Sequence, residues 1–202
     1  MQFSQDDHDA ISAAIHAAEA RSCGQIVCVL SHASSDYAYV PILWATVLAL
    51  LVPWPLIYFT HLSAQKIYLW QLAVFVAAGL VLSWMPLRMA LVPRLLRRTL
   101  AHRAALEQFV VRRIANTKNR SGVLIFVSLA ERYARIIADE GVAEKVPNAE
   151  WQAAIDALTG HMRDGRIAAG FIAAIDRCGA VLAAHAPPDG SPNTLPDRLY
   201  VM

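Results

Sequence analysis

The sequence predicts an α/β protein in which a small mixed sheet, covered by helices, is interrupted by a two-helix transmembrane hairpin. Three observations predict it: two long uncharged segments, two short strand-like runs that are apolar on both faces, and amphipathic helical segments around them. Of the 202 residues, 56% are hydrophobic and only 17% are charged, whereas soluble domains carry roughly a quarter charged residues. The apolar excess lies in residues 37–65 and 67–87, which contain no Asp, Glu, Lys or Arg.

The two uncharged segments predict a transmembrane hairpin over residues 37–92. Each is close to the ~20 residues that cross a hydrocarbon core ~30 Å thick. Tyr and Trp residues lie near the segment ends, as in the aromatic belts of membrane helices. A pair of buried core helices explains the pattern less well, because core helices seldom stay uncharged on every face over such a length. The connection over residues 61–66 is short, so the two helices form a tight pair.

The distribution of arginine predicts the orientation. Residues 88–120 contain eight arginines and one lysine against a single acidic residue, whereas the hairpin connection offers one lysine. The positive-inside rule therefore predicts a two-pass protein of the bacterial inner (plasma) membrane with both termini in the cytoplasm. The first 37 residues lack a signal-peptide pattern, which agrees with this orientation. The basic residues to which we assign topology or lipid contact are Arg88, Arg94, Arg97, Arg98 and Arg103.

Two strand-like runs lie on either side of the hairpin and the long basic segment that follows it. QIVCVLS (residues 25–31) and GVLIFVSLA (residues 122–130) are apolar on both faces, as covered parallel strands are. The segment over residues 93–121 predicts one long helix, with Leu96, Leu100, Leu106, Val110 and Ile114 along one side. Because this helix would connect the two strands as a crossover, we expect them to be parallel.

A third strand is predicted over residues 133–139, antiparallel to the second after a tight turn. Tyr133, Arg135, Ile137 and Asp139 share one face of it, and Ala134, Ile136 and Ala138 share the other.

Two amphipathic helices complete the predicted domain. One begins at Asn148, which can cap it, and the other begins at residues 165–166. Residues 187–202 are rich in Pro, Gly and Asp and predict a flexible tail. The α/β domain is therefore expected to be discontinuous, comprising residues 1–36 and 94–186.

The order of these blocks, GQIVCVLS, then GVLIFVSLAERYARIIADEGVAEKV, then CGAVLAAHAPP, resembles the TPM domain family. The resemblance covers residues 8–36 and 94–186. It implies an α/β sandwich around a small mixed sheet, and bacterial relatives that are mainly membrane proteins of unassigned function. Acid phosphatase activity and calcium binding are ascribed to some relatives. This chain departs from the common layout, because two predicted spans interrupt the domain after its first strand.

Charged residues at the ends of the predicted strands are the candidate ligand-binding or ion-binding site. An enzyme acting on phosphate esters needs a nucleophile or a metal-held water together with cationic stabilisation. Calcium needs six to eight oxygen ligands, whereas each end of the sheet offers at most two carboxylates. No phosphate-binding loop, C-x5-R, G-x-S-x-G or H-E-x-x-H motif is present. The candidates are Asp36, Glu131, Arg132, Arg135, Asp139 and Glu140.

A structural role for these charges is the simpler interpretation, with Arg135 and Asp139 forming an ion pair or a helix cap. The three cysteines have neither C-x-x-C spacing nor the spacing of a zinc site: Cys23, Cys28 and Cys178. We therefore expect them to serve as ordinary small apolar side chains. The residues themselves predict no cofactor, and calcium binding is implied only by the family resemblance.

We therefore predict a membrane-anchored, non-catalytic binding or assembly module. The expected partners are membrane lipid and either another inner-membrane protein or a second copy of this chain. Two alternatives stay open: a metal-assisted phosphatase, and a protein that binds anionic lipid surfaces through its arginines. Nucleic acid is not expected as a partner, because the basic segment adjoins the predicted membrane and no strand with the aromatic pattern of RNA-binding motifs accompanies it.

Overall fold

The computed structural model describes residues 4–35, 37, 39–84, 89–117, 119–189, 193 and 195–202. The chain divides into two compact units. The first, the α/β unit, comprises Met1–Ser34 and Thr99–Met202, and the second, the helical unit, comprises Ser35–Arg98.

The described helices and strands follow the predicted order. The helices are α1 (Gln5–Glu19), α2 (Tyr39–Leu51), α3 (Pro53–Phe59), α4 (Ala64–Leu82), α5 (Arg94–Val111), α6 (Glu140–Ala143), α7 (Asn148–Arg163) and α8 (Ile167–His185), with a 3-10 turn at Ile114–Asn116. The strands are β1 (Gln25–Ser31), β2 (Gly122–Ser128), β3 (Tyr133–Ala138) and β4 (Leu199–Val201).

The sheet has the strand order β3-β2-β1-β4. β1 and β2 are parallel, in register from Gln25 opposite Gly122 to Ser31 opposite Ser128, and β3 is antiparallel to β2. Both predicted pairings are confirmed. Every residue of β1 and β2 is buried, because helices or loops cover both faces of these central strands.

The end of the chain differs from the flexible tail predicted over residues 187–202. Leu199–Val201 forms β4, which pairs parallel with β1 at the edge of the sheet. The His32 N–H donates to the Met202 carbonyl at 2.8 Å, and the Met202 N–H donates to the Leu30 carbonyl at 2.9 Å. Three residues are too few to show a strand periodicity in the sequence. Pairing of these residues with the open edge of β1, together with burial of Leu199, orders this segment.

The two faces of the sheet carry cores of different size. The larger core packs α1, α7 and α8 against one face, with Ile15, Phe171 and Leu182 fully buried. The smaller core places Phe126 of β2 near Ala105 of α5. The alternation predicted for β3 is confirmed, because the following residues divide between the two cores: Ala134, Ile136 and Ala138 on the larger side, and Tyr133 and Ile137 on the smaller side.

Helix α5 is shorter than predicted. The single helix expected over residues 93–121 ends at Val111, because Arg113 adopts the left-handed conformation (φ 54°) and breaks the hydrogen-bond ladder before the 3-10 turn.

Helix α5 also leaves several large apolar residues exposed. Ala101 and Ala105 are its buried residues, whereas Leu106, Val110 and Val111 are exposed to 43%, 70% and 72%. Phe109 of the same helix packs with Ala105 against the smaller core, and Leu106, Val110 and Val111 stay outside that core.

The helical unit consists of α2, α3 and α4 and the beginning of α5. Helix α2 packs against α4, and Pro53 begins α3 at a position where its missing N–H removes no necessary hydrogen bond. By length and composition, the described residues contain three helical segments able to cross a membrane: Tyr39–Phe59, Ala64–Leu82 and Ile167–His185. The third was not predicted as a span. Half of its most apolar window is buried, and it is α8 of the larger core.

Candidate functional site

The carboxyl end of β3 brings two of the predicted acidic residues together. Asp139 is almost fully buried and caps α6, its Oδ1 accepting the Glu140 N–H at 2.8 Å. The Arg120 guanidinium lies 3.7 Å from the same oxygen and forms an ion pair with the Glu140 carboxylate. Arg120 was not among the sequence candidates. Arg120 lies in the turn just before β2, and the start of β2 was predicted to lie opposite the end of the antiparallel β3. That position could have identified Arg120 as a neighbour of Asp139.

Backbone contacts hold this ion-pair cluster in place. Arg120 has a positive φ of 49°, which turns its carbonyl toward the Gly141 N–H at 3.0 Å. The Asp139 N–H donates to the Gly122 carbonyl at 2.8 Å, so the ladder between β2 and β3 continues into the cluster. A Cβ on Gly141 would collide with the carbonyl oxygens of Asn119 and Arg120, so only glycine fits here without backbone movement.

The opposite end of the sheet carries Glu131 and Arg132 in the turn between β2 and β3. Glu131 is buried, and its carboxylate accepts the Ser34 backbone N–H at 2.9 Å and the Ser128 hydroxyl. The carboxylate therefore joins this turn to the chain that leaves β1. Asp36, the sequence candidate that follows β1, lies outside the described residues.

Arg135 does not form the predicted pair with Asp139. Arg135 is exposed on β3, and Asp139 pairs with Arg120 instead. Burial, followed by the charge of Arg135, lowers the pKa of His102 on α5. Of the predicted basic residues, Arg94, Arg97, Arg98 and Arg103 lie on α5, and Arg88 lies outside the described residues.

A second acidic cluster, absent from the sequence candidates, joins α1 to the C-terminal segment. Glu19 accepts the Ile26 N–H at 2.6 Å and the Asn193 side-chain amide at 2.6 Å, and the same amide donates to Asp197 at 2.6 Å. Burial, and then the neighbouring Asp197 carboxylate, raises the pKa of Glu19 to about 8. Glu19 is therefore mainly protonated at neutral pH, which removes repulsion between the two carboxyl groups. The sequence did not indicate this cluster, because Glu19 is 174 positions from Asn193.

A cavity of about 630 Å³ lies between the β2–β3 turn and the junction of α7 with α8. Its polar lining includes Ser128, Arg132 and Arg163, and its apolar lining includes Met162 and Ile167. Within the described part of the chain, neither arginine forms an ion pair.

The arrangement offers little for metal chemistry. Among the residues that the structure describes, no three His, Cys, Asp or Glu side chains lie close enough to hold a metal ion. The two carboxylates nearest each other at the predicted site, Asp139 and Glu140, are already paired with Arg120. Cys28 and Cys178 are fully buried, and burial raises the pKa of the Cys178 thiol to about 12 and that of Cys28 well above its usual value. These thiols are unreactive core residues.

The fold defines a small α/β domain with a four-stranded mixed sheet, in which Arg120 joins the turn before β2 to Asp139 and Glu140 at the end of β3. The family model described as the TPM domain matches residues 85–181. This match confirms the resemblance to the TPM domain that was drawn from the sequence.

One solved structure supports the same fold. The NMR structure of the BA42 protein from the psychrophilic bacterium Bizionia argentinensis sp. nov. is similar with a TM-score of 0.62 and 17% sequence identity, covering 100% of this chain and 97% of that chain. At this identity the similarity concerns the fold alone. No curated protein matches the chain.

Proposed function

We propose that this chain is a membrane-anchored TPM domain that serves as a non-catalytic binding or assembly module at the cytoplasmic face of a bacterial inner membrane. The observation that carries the proposal is helix α4: none of its 19 residues is buried, although it is apolar enough to span a bilayer. An apolar helix whose residues all stay partly or fully exposed is stable in hydrocarbon and costly in water. Helix α2 with α3 provides the second span of the proposed hairpin.

The proposed orientation rests on charge. Arg94, Arg97, Arg98 and Arg103 follow the second span, whereas Lys66 is the single basic residue near the connection between the spans, if histidine is taken as neutral. Cytoplasmic flanks are enriched in Lys and Arg, so the α/β unit belongs on the cytoplasmic side.

The proposed role as a binding module rests on the ion pairs and hydrogen bonds that the candidate carboxylates form within the fold. Asp139 and Glu140 pair with Arg120, and Asp139 also caps α6. Glu131 accepts hydrogen bonds from Ser34 and Ser128. Carboxylates engaged in this way hold the fold together, which supports a structural role for them; the buried Asp139 Oδ2 has no hydrogen-bond partner among the described residues. The proposed partner is another inner-membrane protein or a second copy of this chain.

We expect thiol labelling of intact cells to reach the hairpin connection and not the α/β unit. In a Cys23→Ser background, an impermeant maleimide should label the Ser63→Cys variant directly, because Ser63 is exposed between α3 and α4. The matched Ala149→Cys variant, exposed at the start of α7, should react only after the membrane is permeabilised. Labelling in the opposite order would place the domain outside the cell. Hydrolysis of p-nitrophenyl phosphate that is lost in Asp139→Asn, with the fold retained, would contradict a non-catalytic role.

A second candidate function, contact with anionic lipid, is favoured by the outward face of α5. Leu106, Val110 and Val111 are exposed there, and Arg103 on the helix and Arg113 just after it are exposed as well. Apolar side chains beside cationic ones are the pattern of helices that lie on anionic membrane surfaces. Each basic residue near such a surface contributes about 1 kcal/mol.

We expect this face to be shielded by anionic lipid. In nanodiscs, the Val110→Cys variant of the full chain should react with a maleimide about tenfold more slowly in phosphatidylglycerol-containing bilayers than in phosphatidylcholine alone, since two arginines contribute roughly 2 kcal/mol of attraction before screening. High salt should remove the difference. The Ala149→Cys variant on α7 should react equally in both lipids. Equal rates for Val110→Cys in both lipids would exclude the contact.

A further inference from the structure

The cavity beside the β2–β3 turn has the features of a ligand site that the membrane anchor does not explain. Its walls belong entirely to the α/β unit, and its volume of about 630 Å³ falls within the ~300–1,000 Å³ typical of small-molecule sites. We propose that it binds a small organic anion, with a carboxylate head held by Arg132 and Arg163 and an apolar body against Met162 and Ile167.

The two guanidinium groups carry the charge argument. Both line the cavity, and within the described residues neither has an acidic partner. The nearest acidic residues in the sequence are engaged elsewhere: Asp164 pairs with Arg166 at 2.9 Å, and Glu131 accepts bonds from the chain after β1 and from β2. Arginine binds carboxylates through two parallel N–H···O bonds, so a carboxylate is the complementary group.

The backbone of Arg132 provides a second, independent observation. Its φ of 50° lies in the left-handed region, which glycine or asparagine adopts with less strain than arginine. The turn is held rigidly, because the Arg132 N–H donates to the Leu129 carbonyl at 3.1 Å and the Leu129 N–H donates to the Ser31 carbonyl at 3.0 Å. Strained residues on a rigid support are concentrated at ligand-binding positions. The left-handed backbone of Arg132 is in keeping with a binding role for its side chain, which lines the cavity.

The start of α8 adds to the positive potential. Ile167, the first residue of this 19-residue helix, lines the cavity, and the N-cap residue Arg166 provides no side-chain cap. The partial positive charge at a helix N-terminus favours an anion near it. Apolar walls on the same cavity favour a ligand with a hydrophobic body over a bare inorganic ion.

The test uses the full chain in phosphatidylcholine nanodiscs and three soluble probes measured by calorimetry. The probe 4-phenylbutyrate carries the charge and the apolar body, 4-phenylbutanamide lacks the charge, and acetate lacks the body. We expect 4-phenylbutyrate to bind at least about tenfold more tightly than either of the others, because the amide loses the charged hydrogen-bonded contact and acetate loses the burial of the apolar body. Both sides of a nanodisc are open, so an error in the proposed orientation would not affect the result.

Three variants assign the binding to the cavity. Arg163→Gln and Arg132→Asn should each weaken 4-phenylbutyrate binding by about tenfold. Asparagine tolerates a positive φ, so Arg132→Asn should unfold at the same temperature as the wild type or higher. Arg166 is a neighbouring exposed arginine that pairs with Asp164. The control variant Arg166→Gln should therefore bind 4-phenylbutyrate as tightly as the wild type. Failure of the wild type to bind, equal affinity for the acid and its amide, or unchanged binding in both cavity variants would each overturn the proposal.

Discussion

Replacing Leu72 and Val76 in the middle of α4 with arginine is expected to prevent the chain from integrating into the membrane. Both side chains are exposed in the structure, to 47% and 52%, and they lie one turn apart on the same face of the helix. An arginine at the centre of a membrane helix costs about 2.5–3.5 kcal/mol on insertion scales. Two of them therefore cost about 6 kcal/mol, which outweighs the favourable transfer of several apolar residues.

The measurement is extraction of isolated membranes with alkaline carbonate, which releases proteins that are not integrated. The wild type should stay in the membrane pellet, and the double variant should be released or degraded. A control carrying two extra arginines at exposed positions of α7, Ala149→Arg with Gln152→Arg, should behave as the wild type. Retention of the α4 variant would show that this helix does not cross the bilayer.

Gly141→Ala is expected to lower the free energy of unfolding by about 3 kcal/mol, the upper end of the range for overpacked sites. The added Cβ would lie 2.8 Å from the Arg120 carbonyl oxygen and nearer still to that of Asn119. Backbone atoms cannot rotate away as the end of a flexible side chain can. The turn before β2 must shift, and this shift also disturbs the Arg120 ion pairs with Asp139 and Glu140.

Gly160→Ala in α7 is the matched control and should raise the free energy of unfolding instead of lowering it. A Cβ at Gly160 meets nothing within 4 Å, and alanine in a helix interior is favoured over glycine by about 0.5–1 kcal/mol. Pulse proteolysis of the full chain in increasing urea, in one detergent for all variants, measures both changes. Equal stability of Gly141→Ala and the wild type would mean that the β3–α6 turn can move freely, contrary to the packing described above.

The larger part of the fold was predictable because it depends on local periodicity. The apolar runs of β1 and β2, the two-residue alternation of β3, and the helical spacing of α1, α7 and α8 are each present within a short stretch of sequence. The parallel pairing followed from the crossover that must join the first two strands.

The candidate site was predictable only in part. The order of the chain placed Asp139 and Glu140 at the end of β3, but their partner is Arg120 and not Arg135. Alternation along β3 places Arg135 on the face that α5 covers. The register of β2 with β3 places the start of β2 opposite the end of β3, and Arg120 lies just before that start. The register is a property of the assembled sheet, so no inspection of β3 alone could choose between the two arginines.

The sequence alone determined the secondary-structure types and the presence of two long apolar helices, because these depend on residues close together in the chain. The connections between the first three strands predicted how those strands pair. Tertiary structure decided which contacts form between distant residues. It joined Glu19 to Asn193, added β4 to the edge of β1, left the apolar side chains at the end of α5 exposed, and brought Arg132 and Arg163 into the lining of one cavity. Each of these contacts depends on the distances and directions that the packed elements impose, and a linear pattern of residues does not contain them.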